Sequence, residues 1–371
     1  MKGIFISEAV RFFLRRIRVC FFWVKKYSGN DEEICRQIIL DCYNKEKKYF
    51  MVSSGHFCEF FARDFGWCCE ALLELGYRKE VINTLDYALG VFQRHGRIEQ
   101  SISPGGVAFT FPSSKYSPDA LAFIIRSLKL AKANELVKKY KDFLNQEVQQ
   151  YYDAVIDHKT GLVRKDKSFS SMKDYSIRQS SCYDNVMTGM LANDLTLLGL
   201  NNPFKKYNYK KLIIKNFWTG NYFLDDLSGS KMVCGDANVL PFWSGIINDK
   251  KLLKKVISAI QKEGLDKPFP LKYTKARFKK QKMICFEFLA GDYERDAIWP
   301  HVGLMYIQII ASIDKKLAKE YLDQYKQQIE QHKNFLEVYD GNGKPFKTLF
   351  YYADEAMLWA ANYLYLRKRL S

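Results

Sequence analysis

The sequence predicts an all-α fold, an (α/α)6 toroid built from six helical hairpins, and two observations lead to this prediction. Apolar residues recur at helical spacing in twelve segments: 31–46, 64–75, 79–94, 118–131, 134–151, 184–199, 209–216, 237–247, 251–263, 300–312, 315–333 and 354–367. The connections also alternate in length. Short joints follow four of the segments, whereas long stretches rich in glycine and aromatic residues precede residues 64, 118, 184, 237, 300 and 354.

The alternation predicts where the long connections lie. In a ring of helical hairpins, successive connections lie at opposite ends of the helices. All six long connections would therefore gather on one face, and each would lead into an inner helix. Because compact domains keep structureless loops short unless the loops bind or catalyse, we expect this face to carry a binding or catalytic surface.

Local signals mark several helix ends. Ser117-Pro118-Asp119 combines an N-cap residue, a proline at the first helical position and an acid in the first turn. Trp299-Pro300 and Asp354-Glu355 predict two further helix starts. Asp184 stands at the start of the sixth segment, where aspartate is an ordinary N-cap residue.

Length and composition favour a single large domain. The chain has 371 residues, 47% of them hydrophobic, and no linker or low-complexity run divides it. We therefore expect one toroidal domain over residues 28–371, preceded by an N-terminal basic and apolar helical segment over residues 1–27.

The net charge of +17 raises affinity for anionic partners in general. The lysines are, however, spread over the predicted outer helices. The densest basic run, over residues 272–282, belongs to no nucleic-acid-binding motif. We interpret the charge as a solvated lysine-rich surface and expect no nucleic-acid partner.

The number and spacing of the cysteines and histidines indicate the redox state of the thiols and argue against a metal site. There are nine cysteines and no secretory signal, which predicts reduced thiols in a cytoplasmic protein. Neither a CxxC pair nor an HExxH motif occurs, and there are only five histidines, so we expect no metal and no cofactor.

The N-terminal segment has two interpretations. Apolar residues dominate it, but Arg11, Arg15, Arg16 and Arg18 interrupt them, which excludes a transmembrane helix and makes a poor signal peptide. The segment is either a basic amphipathic helix on a membrane surface or a helix packed on the flank of the domain.

The long connections place carboxylates beside aromatic residues and arginines. Sugars present hydroxyl groups at their rims and apolar C–H faces, so their binding sites combine charged hydrogen-bonding groups with aromatic surfaces. A glycosidic bond is cleaved by two carboxyl groups, one protonated and one ionised. The sequence contains no Gly-rich phosphate loop and no Ser–His–Asp arrangement that would indicate other chemistry.

Three short motifs resemble those of the six-hairpin glycosidases, the (α/α)6 group that includes trehalases, alkaline invertases and the amylo-α-1,6-glucosidase domain. Ser181-Cys182-Tyr183-Asp184 resembles the trehalase stretch Glu-Ser-Gly-Trp-Asp, and residues 335–340 resemble a late segment that carries a glutamate. Residues 62–67, Ala-Arg-Asp-Phe-Gly-Trp, resemble an early Arg-Asp-x-x-Trp substrate-binding motif. The resemblance extends from about Ser53 to Leu366.

The resemblance implies a glycoside hydrolase that acts on a small oligosaccharide or glucan, with inversion at the anomeric carbon. It implies that Asp184 is the general acid and Glu337 the general base. It also implies that Arg63, Asp64 and Trp67 bind substrate. The departure from Glu-Ser-Gly-Trp before Asp184 argues against trehalose itself.

Other residues of the long connections complete the candidate site. Asp236 and Glu294 compete with Glu337 for the role of base, and the remaining candidates for sugar contact are Arg178, Trp243, Trp299 and His301. Two alternatives stay open: a non-hydrolytic toroid, such as a sugar epimerase that uses histidines, and a membrane-peripheral glycan-binding protein. The observation that discriminates these alternatives is whether Asp184 and Glu337 face each other across one cleft.

Overall fold

The computed structural model describes residues 10, 11, 13–19, 21, 24–111, 116–169, 171–275 and 291–371, and these residues are mostly helical. A 3-10 helix covers Pro203–Lys206, and residues 10, 11, 13–19 and 21 are also helical. The α-helices that we number within this part of the chain are α1 (Asp31–Asp41), α2 (Ala62–Glu74), α3 (Arg78–His95), α4 (Pro118–Leu130), α5 (Asn134–Lys139), α6 (Lys141–Val155), α7 (Cys182–Leu197), α8 (Tyr209–Phe217), α9 (Gly235–Trp243), α10 (Lys250–Glu263), α11 (Pro300–Ile310), α12 (Lys315–His332) and α13 (Ala360–Leu370).

Six of these helices contact one another in a closed cycle. Helix α2 packs on α4, α4 on α7, α7 on α9, α9 on α11, α11 on α13, and α13 returns to α2. Each member of the cycle also packs on at least one helix outside it, including the pairs α2–α3, α4–α6, α7–α8, α9–α10, α11–α12 and α13–α1.

Burial separates the two sets of helices. In α4, every residue from Pro118 to Leu128 is buried, as expected for a helix that is surrounded on all sides. In α10, the buried residues form a single stripe, Leu253, Val256, Ile257 and Ile260, at the spacing of one helix face. Helices of the cycle therefore lie inside, and their partners cover them from outside.

Short strands tie the long connections together. Strands β1 (Tyr43–Asn44) and β2 (Tyr49–Phe50) form an antiparallel pair. Strands β3 (Phe60–Phe61), β4 (Ser101–Ile102) and β5 (Ala108–Phe109) form an antiparallel sheet in that order. The sheet joins the residues before α2 to those before α4, so these two connections are held beside each other.

The prediction of a mostly helical chain is confirmed within the described residues, where thirteen numbered α-helices stand against twelve predicted segments, but three details were wrong. The first helix ends at Asp41, because β1 follows it directly. The segment 134–151 contains two helices, α5 and α6, which meet at Tyr140. Asp354-Glu355 does not begin a helix: α13 starts at Ala360, and the Asp354 carbonyl accepts a hydrogen bond from the Glu337 amide at 3.0 Å.

The N-cap of α7 is Ser181 and not Asp184. Asp184 is the third residue of the helix, and its amide donates to the Ser181 hydroxyl at 3.0 Å. A serine three residues before an acid is a common start for a helix. The predicted basic run over residues 272–282 lies outside the described residues beyond Lys275.

Among the described helices, none is both long enough and apolar enough to cross a bilayer. The described cysteines are all free thiols.

Helices α2 and α4 approach so closely that Gly66 has no room for a side chain. A Cβ atom at Gly66 would lie 2.5 Å from Cβ of Phe123, a buried residue of α4. We predict that Gly66→Ala lowers the free energy of unfolding by about 1–3 kcal/mol, because the packed core must shift.

Gly90 on α3 is the matched control, because a Cβ there would meet its nearest atom at 3.4 Å. Gly90→Ala should leave stability unchanged or raise it by up to about 1 kcal/mol, since alanine favours helix. Chemical denaturation of both variants measures the difference. Equal stability of the two variants would contradict the close approach of α2 and α4.

Candidate active site

A cavity of about 500 Å³ opens among the long connections. Its walls combine carboxyl groups, one arginine, one histidine and many aromatic rings. The charged and polar residues that line it are Glu59, Arg63, Asp64, Gln100, Asp174, Glu294, His301 and Glu337, and the aromatic residues are Phe57, Phe61, Trp67, Phe109, Phe111, Tyr175, Tyr273, Tyr293, Trp299, Phe350, Tyr351 and Trp359.

Glu337 is held rigidly at the cavity wall, in the connection between α12 and α13. One carboxylate oxygen accepts a hydrogen bond from the Tyr293 hydroxyl. The other accepts from the Tyr351 hydroxyl and from the Asp354 amide, the latter at 2.9 Å. Burial raises the pKa of Glu337 to about 7, the nearby Asp354 carboxylate adds to the rise, and the three donors oppose it.

Asp354 fixes the loop that carries Glu337. Its buried carboxylate accepts hydrogen bonds from the Ser53 hydroxyl and from the amides of His56 and Phe57, at 3.0 Å and 3.1 Å for the amides. Arg15 Nε lies 3.1 Å from the same carboxylate. Burial alone would raise the pKa of Asp354, but His56, Arg15 and the donors hold it well below its usual range.

Glu294 is the second deeply buried glutamate of the cavity. It accepts hydrogen bonds from the amides of Tyr175 and Ser176, at 2.9 Å and 3.1 Å. Burial raises the pKa of Glu294 to about 7, and the charge of Asp174 contributes to the rise. Burial raises the pKa of the Tyr175 phenol, and the charges of Glu294 and Glu337 add to the rise.

Arg63 and Asp64, in the first turn of α2, form another part of the wall. Arg63 donates through Nε to Asp119 at 2.6 Å, and its Nη2 lies 3.5 Å from Asp174. Asp119 also accepts from the Tyr183 hydroxyl at 2.8 Å. Asp64 accepts from the Trp359 indole at 3.0 Å, and burial raises its pKa to about 7 against the effect of Arg63.

A stack of rings forms an aromatic wall beside these groups. The His301 imidazole lies parallel to the Trp67 indole, with centroids 4.2 Å apart, and 4.6 Å from the Trp359 ring. His301 Nε2 is 3.2 Å from the Tyr273 hydroxyl. Burial lowers the pKa of His301 well below its usual range, with a contribution from Arg63, so this imidazole is neutral.

A buried ionic cluster holds the segment that supplies Asp174 and Tyr175. The Lys173 ammonium lies 3.1 Å from Asp225 and 2.9 Å from Asp236. Arg178 lies 3.9 Å and 3.6 Å from the same two carboxylates. Burial alone would lower the pKa of Lys173, but the two carboxylates hold it above its usual range.

The same cluster contains a group of potential metal ligands. Ligand atoms of Asp225, Cys234 and Asp236 lie within 4.8 Å of one another. The Lys173 ammonium already provides the compensating positive charge at both carboxylates, so these residues are better explained as an ion-pair network than as a metal site.

Seven of the eleven predicted site residues line the cavity: Arg63, Asp64, Trp67, Glu294, Trp299, His301 and Glu337. Asp184 is not among the lining residues. It is buried, and its carboxylate accepts a hydrogen bond from the Ser181 hydroxyl at 2.6 Å. Burial raises its pKa, and the positive charge of Arg178 opposes the rise.

The other three predicted residues also lie away from the cavity lining. Arg178 and Asp236 belong to the ionic cluster. Trp243 donates through its indole to Gln308 at 3.1 Å, and the Arg126 guanidinium covers its ring at 4.7 Å. The structure therefore gives these side chains protein partners in place of a sugar.

Several lining residues were not predicted. Asp174 follows no regular pattern in sequence, because it lies in an irregular segment whose course depends on the ionic cluster. Tyr293 and Tyr351 lie in the long connections, and both donate to Glu337. The presence of aromatic residues in the connections that carry candidate catalytic glutamates is the signal that could have identified them. Trp359 was assigned to a predicted helix body and precedes α13.

Comparisons with known proteins find similarity in structure alone. No family model and no curated protein sequence matches the chain. A solved glycosidase aligns with a TM-score of 0.61 at 12% identity, over 92% of this chain and 96% of that one. A rhamnosidase from Klebsiella oxytoca with rhamnose bound aligns with a TM-score of 0.63 at 10% identity, over 93% of this chain and 65% of that one.

A GH78 family rhamnosidase of a Bacillus species aligns with a TM-score of 0.61 at 13% identity, over 90% of this chain but only 34% of that chain. The chain therefore shares the fold of these glycosidases, spanning the first glycosidase almost completely and the rhamnosidases in part. At 10–13% sequence identity, the similarity to these proteins extends to the fold alone.

Proposed function

We propose that the protein is a glycoside hydrolase and that the cavity lined by Glu294 and Glu337 is its active site. One observation carries the proposal: two buried glutamates with pKa values near 7 line the same aromatic-rich cavity. Carboxyl groups with such pKa values can exchange protons near neutral pH, which acid–base cleavage of a glycosidic bond requires.

We infer that the closed cycle of helices is the inner ring of an (α/α)6 toroid of the six-hairpin glycosidase type. The six helix pairs and the closed cycle support this inference. The similarity in fold to a glycosidase and to rhamnosidases agrees with it. Domain boundaries at residues 28–371 remain part of the same proposal.

In the proposed mechanism, Glu337 is the general base. Three hydrogen-bond donors point at its carboxylate, an arrangement that favours the ionised form at the moment of reaction. Glu337 takes a proton from a water molecule as the water attacks the anomeric carbon. We propose inversion, as in the family that the sequence resembles, with about 6.5–9.5 Å between the two carboxyl groups.

Glu294 is the proposed general acid, in place of Asp184. It lines the cavity, which Asp184 does not, and the charge of Asp174 favours its protonated form. Its proton passes to the glycosidic oxygen as the bond breaks, so that the leaving sugar departs as a neutral alcohol. Glu294 also follows Tyr293, which donates to Glu337, so the two carboxyl groups are linked through one short segment.

The remaining groups are suited to holding a sugar. Arg63, Asp64 and Asp174 offer charged hydrogen-bonding groups for hydroxyls, and Trp299 and Trp359 offer aromatic surface for C–H faces. The similar structures include a glycosidase in complex with glucose and a rhamnosidase with rhamnose bound, so glucosides and rhamnosides are the first substrates to test.

The proposal predicts hydrolysis of at least one member of a panel of glucosides, rhamnosides, disaccharides and short glucans. Glu337→Gln should lower kcat by at least about 10³-fold, because the water loses its base while the cavity keeps its shape. Glu330→Gln on α12, a partly exposed side chain, is the matched control and should keep wild-type activity. NMR of the freshly released product identifies its anomeric configuration and so distinguishes inversion from retention.

Two results would count against this assignment. Near wild-type hydrolysis by a folded Glu337→Gln variant would remove Glu337 from the chemistry. Sugar binding without hydrolysis anywhere in the panel would favour a glycan-binding protein.

Leaving-group dependence identifies the acid. A good leaving group, such as nitrophenolate or fluoride, departs without protonation, whereas a sugar alcohol needs the acid. We predict that Glu294→Gln loses at least about 10²-fold more activity on a disaccharide than on the corresponding activated glycoside. Asp184→Asn is the comparison variant and should affect the two substrates equally.

The opposite pattern, with selective loss in Asp184→Asn and equal loss in Glu294→Gln, would assign the acid to Asp184 and overturn the proposed role of Glu294. Far-UV circular dichroism of both variants checks that each is folded.

The pH profile of kcat/KM tests the environment of Glu337. The rate should fall on the acid side as Glu337 is protonated and on the alkaline side as Glu294 loses its proton, which gives a narrow bell near pH 7. Asp354→Asn removes a negative charge that raises the pKa of Glu337, so the acid limb should move to lower pH.

Tyr351→Phe removes a donor to the ionised carboxylate, so its acid limb should move to higher pH. Asp323→Asn on α12, an exposed position, is the control and should leave both limbs in place. If the acid limbs of Asp354→Asn and Tyr351→Phe coincided with that of the wild type, Glu337 would not be the group that sets it.

A further inference from the structure

The helical residues near the N-terminus carry an exposed apolar stripe. Val10, Phe13, Leu14, Ile17 and Phe21 have exposed fractions of 50%, 55%, 59%, 40% and 75%. Their spacing of three and four residues places them on one face of a helix. Exposed apolar residues occur singly on most proteins, whereas a continuous stripe of this kind marks an interaction surface.

Arginines on the adjoining face of the same helix contact the rest of the protein. Arg15 is buried, and it donates to the carbonyl oxygens of Tyr352 and Ala353 at 2.7 Å and 2.9 Å. Arg11 forms an ion pair with Glu59, and Arg18 forms one with Glu355.

An ordinary surface helix turns its apolar face to the core and its charges to water. Among the described residues of this helix, Val19 is buried as usual, but the apolar stripe faces outward and Arg15 is buried. The arginine contacts fix the rotation of the helix about its axis. Turning the apolar stripe inward would leave the buried carboxylates of Glu59 and Asp354 without these cations, at a large electrostatic cost. The stripe is therefore held outward by the same contacts that attach the helix.

We propose that this apolar stripe docks the protein on an anionic lipid bilayer. A short helix with one apolar face binds in the plane of the membrane interface, with its apolar side chains among the acyl chains. The net charge of +17 favours a surface rich in acidic headgroups. Further exposed apolar side chains, Leu349 at 78% and Phe350 at 53%, stand on the loop that Arg15 contacts.

A second copy of the chain is the less suitable occupant. Stable protein–protein interfaces involve about 20–30 residues on each side, and the stripe offers five side chains on one helix. A bilayer places no such requirement on the area, since each apolar side chain that enters it contributes independently.

The arginines also connect the docking surface to the cavity. Glu59, the partner of Arg11, lines the cavity, and the carbonyls that Arg15 contacts follow Tyr351, another lining residue. A docked molecule would thus hold the rim of its cavity close to the lipid headgroups.

Vesicle flotation tests docking directly, without any assay of hydrolysis. The purified full chain is mixed with vesicles of phosphatidylcholine alone or of phosphatidylcholine with phosphatidylserine. We expect it to float with the phosphatidylserine vesicles and to bind them less strongly as salt is raised. Ile17→Gln/Phe21→Gln should reduce the affinity at least about tenfold, because two apolar side chains no longer enter the bilayer.

Leu40→Gln/Leu197→Gln is the matched control, since both leucines are exposed, at 58% and 72%, on α1 and α7. This variant should float like the wild type, and both double variants should keep the wild-type melting temperature. Failure of the wild type to float with phosphatidylserine vesicles, or equal loss in both double variants, would overturn the proposal. A wild-type dimer that Ile17→Gln/Phe21→Gln dissociates, seen by light scattering, would assign the stripe to a second copy.

Discussion

The buried carboxylate of Asp354 joins three parts of the molecule that are distant in sequence. The carboxylate binds the turn at Ser53–Phe57 and pairs with the Arg15 guanidinium. The backbone of Asp354 is hydrogen-bonded to Glu337. Because its pKa is depressed, its contribution to stability is present above the ordinary pKa of aspartate and is lost as pH falls through the lowered value. The proposed base and the proposed docking helix both depend on this single charge.

The ionic cluster around Lys173 has a comparable role on the other side of the cavity. It places four charged side chains in the interior, where an unpaired ion would cost several kcal/mol, roughly 3–5 if one partner were removed. Their mutual pairing holds residues 171–181 against the connection before α9. That segment in turn supplies the amides that bind Glu294. The two candidate catalytic groups are thus each held by a buried electrostatic network.

The helices could be predicted from sequence because their burial is periodic or complete. The apolar stripe of α10 and the predominantly apolar sequence of α4 are both recognisable without any knowledge of their neighbours. The start of α13 could not be predicted, because Asp354 makes long-range contacts that override a local helix-start signal. Contacts between residues that are distant in sequence, unlike periodic burial, produce no local sequence pattern.

The candidate site could be predicted only in part, because the direction of a side chain also depends on long-range packing. Glu294 and Glu337 stand among aromatic residues that suggest a buried pocket, and both line the cavity. Asp184 stands in a similar motif, but the third residue of a helix can turn either to a cavity or back to its own cap. Here it turns to Ser181. The direction of one side chain in a helical first turn depends on packing that the motif does not contain.

The most direct test of the account is a crystal structure of the Glu337→Gln variant with an oligosaccharide that the wild type hydrolyses. We predict an intact sugar chain in the cavity, with its glycosidic oxygen within about 2.6–3.2 Å of the Glu294 carboxyl group and a water molecule beside the side chain at position 337. A sugar bound outside this cavity, or a glycosidic oxygen that faces a different carboxyl group, would contradict the proposed active site.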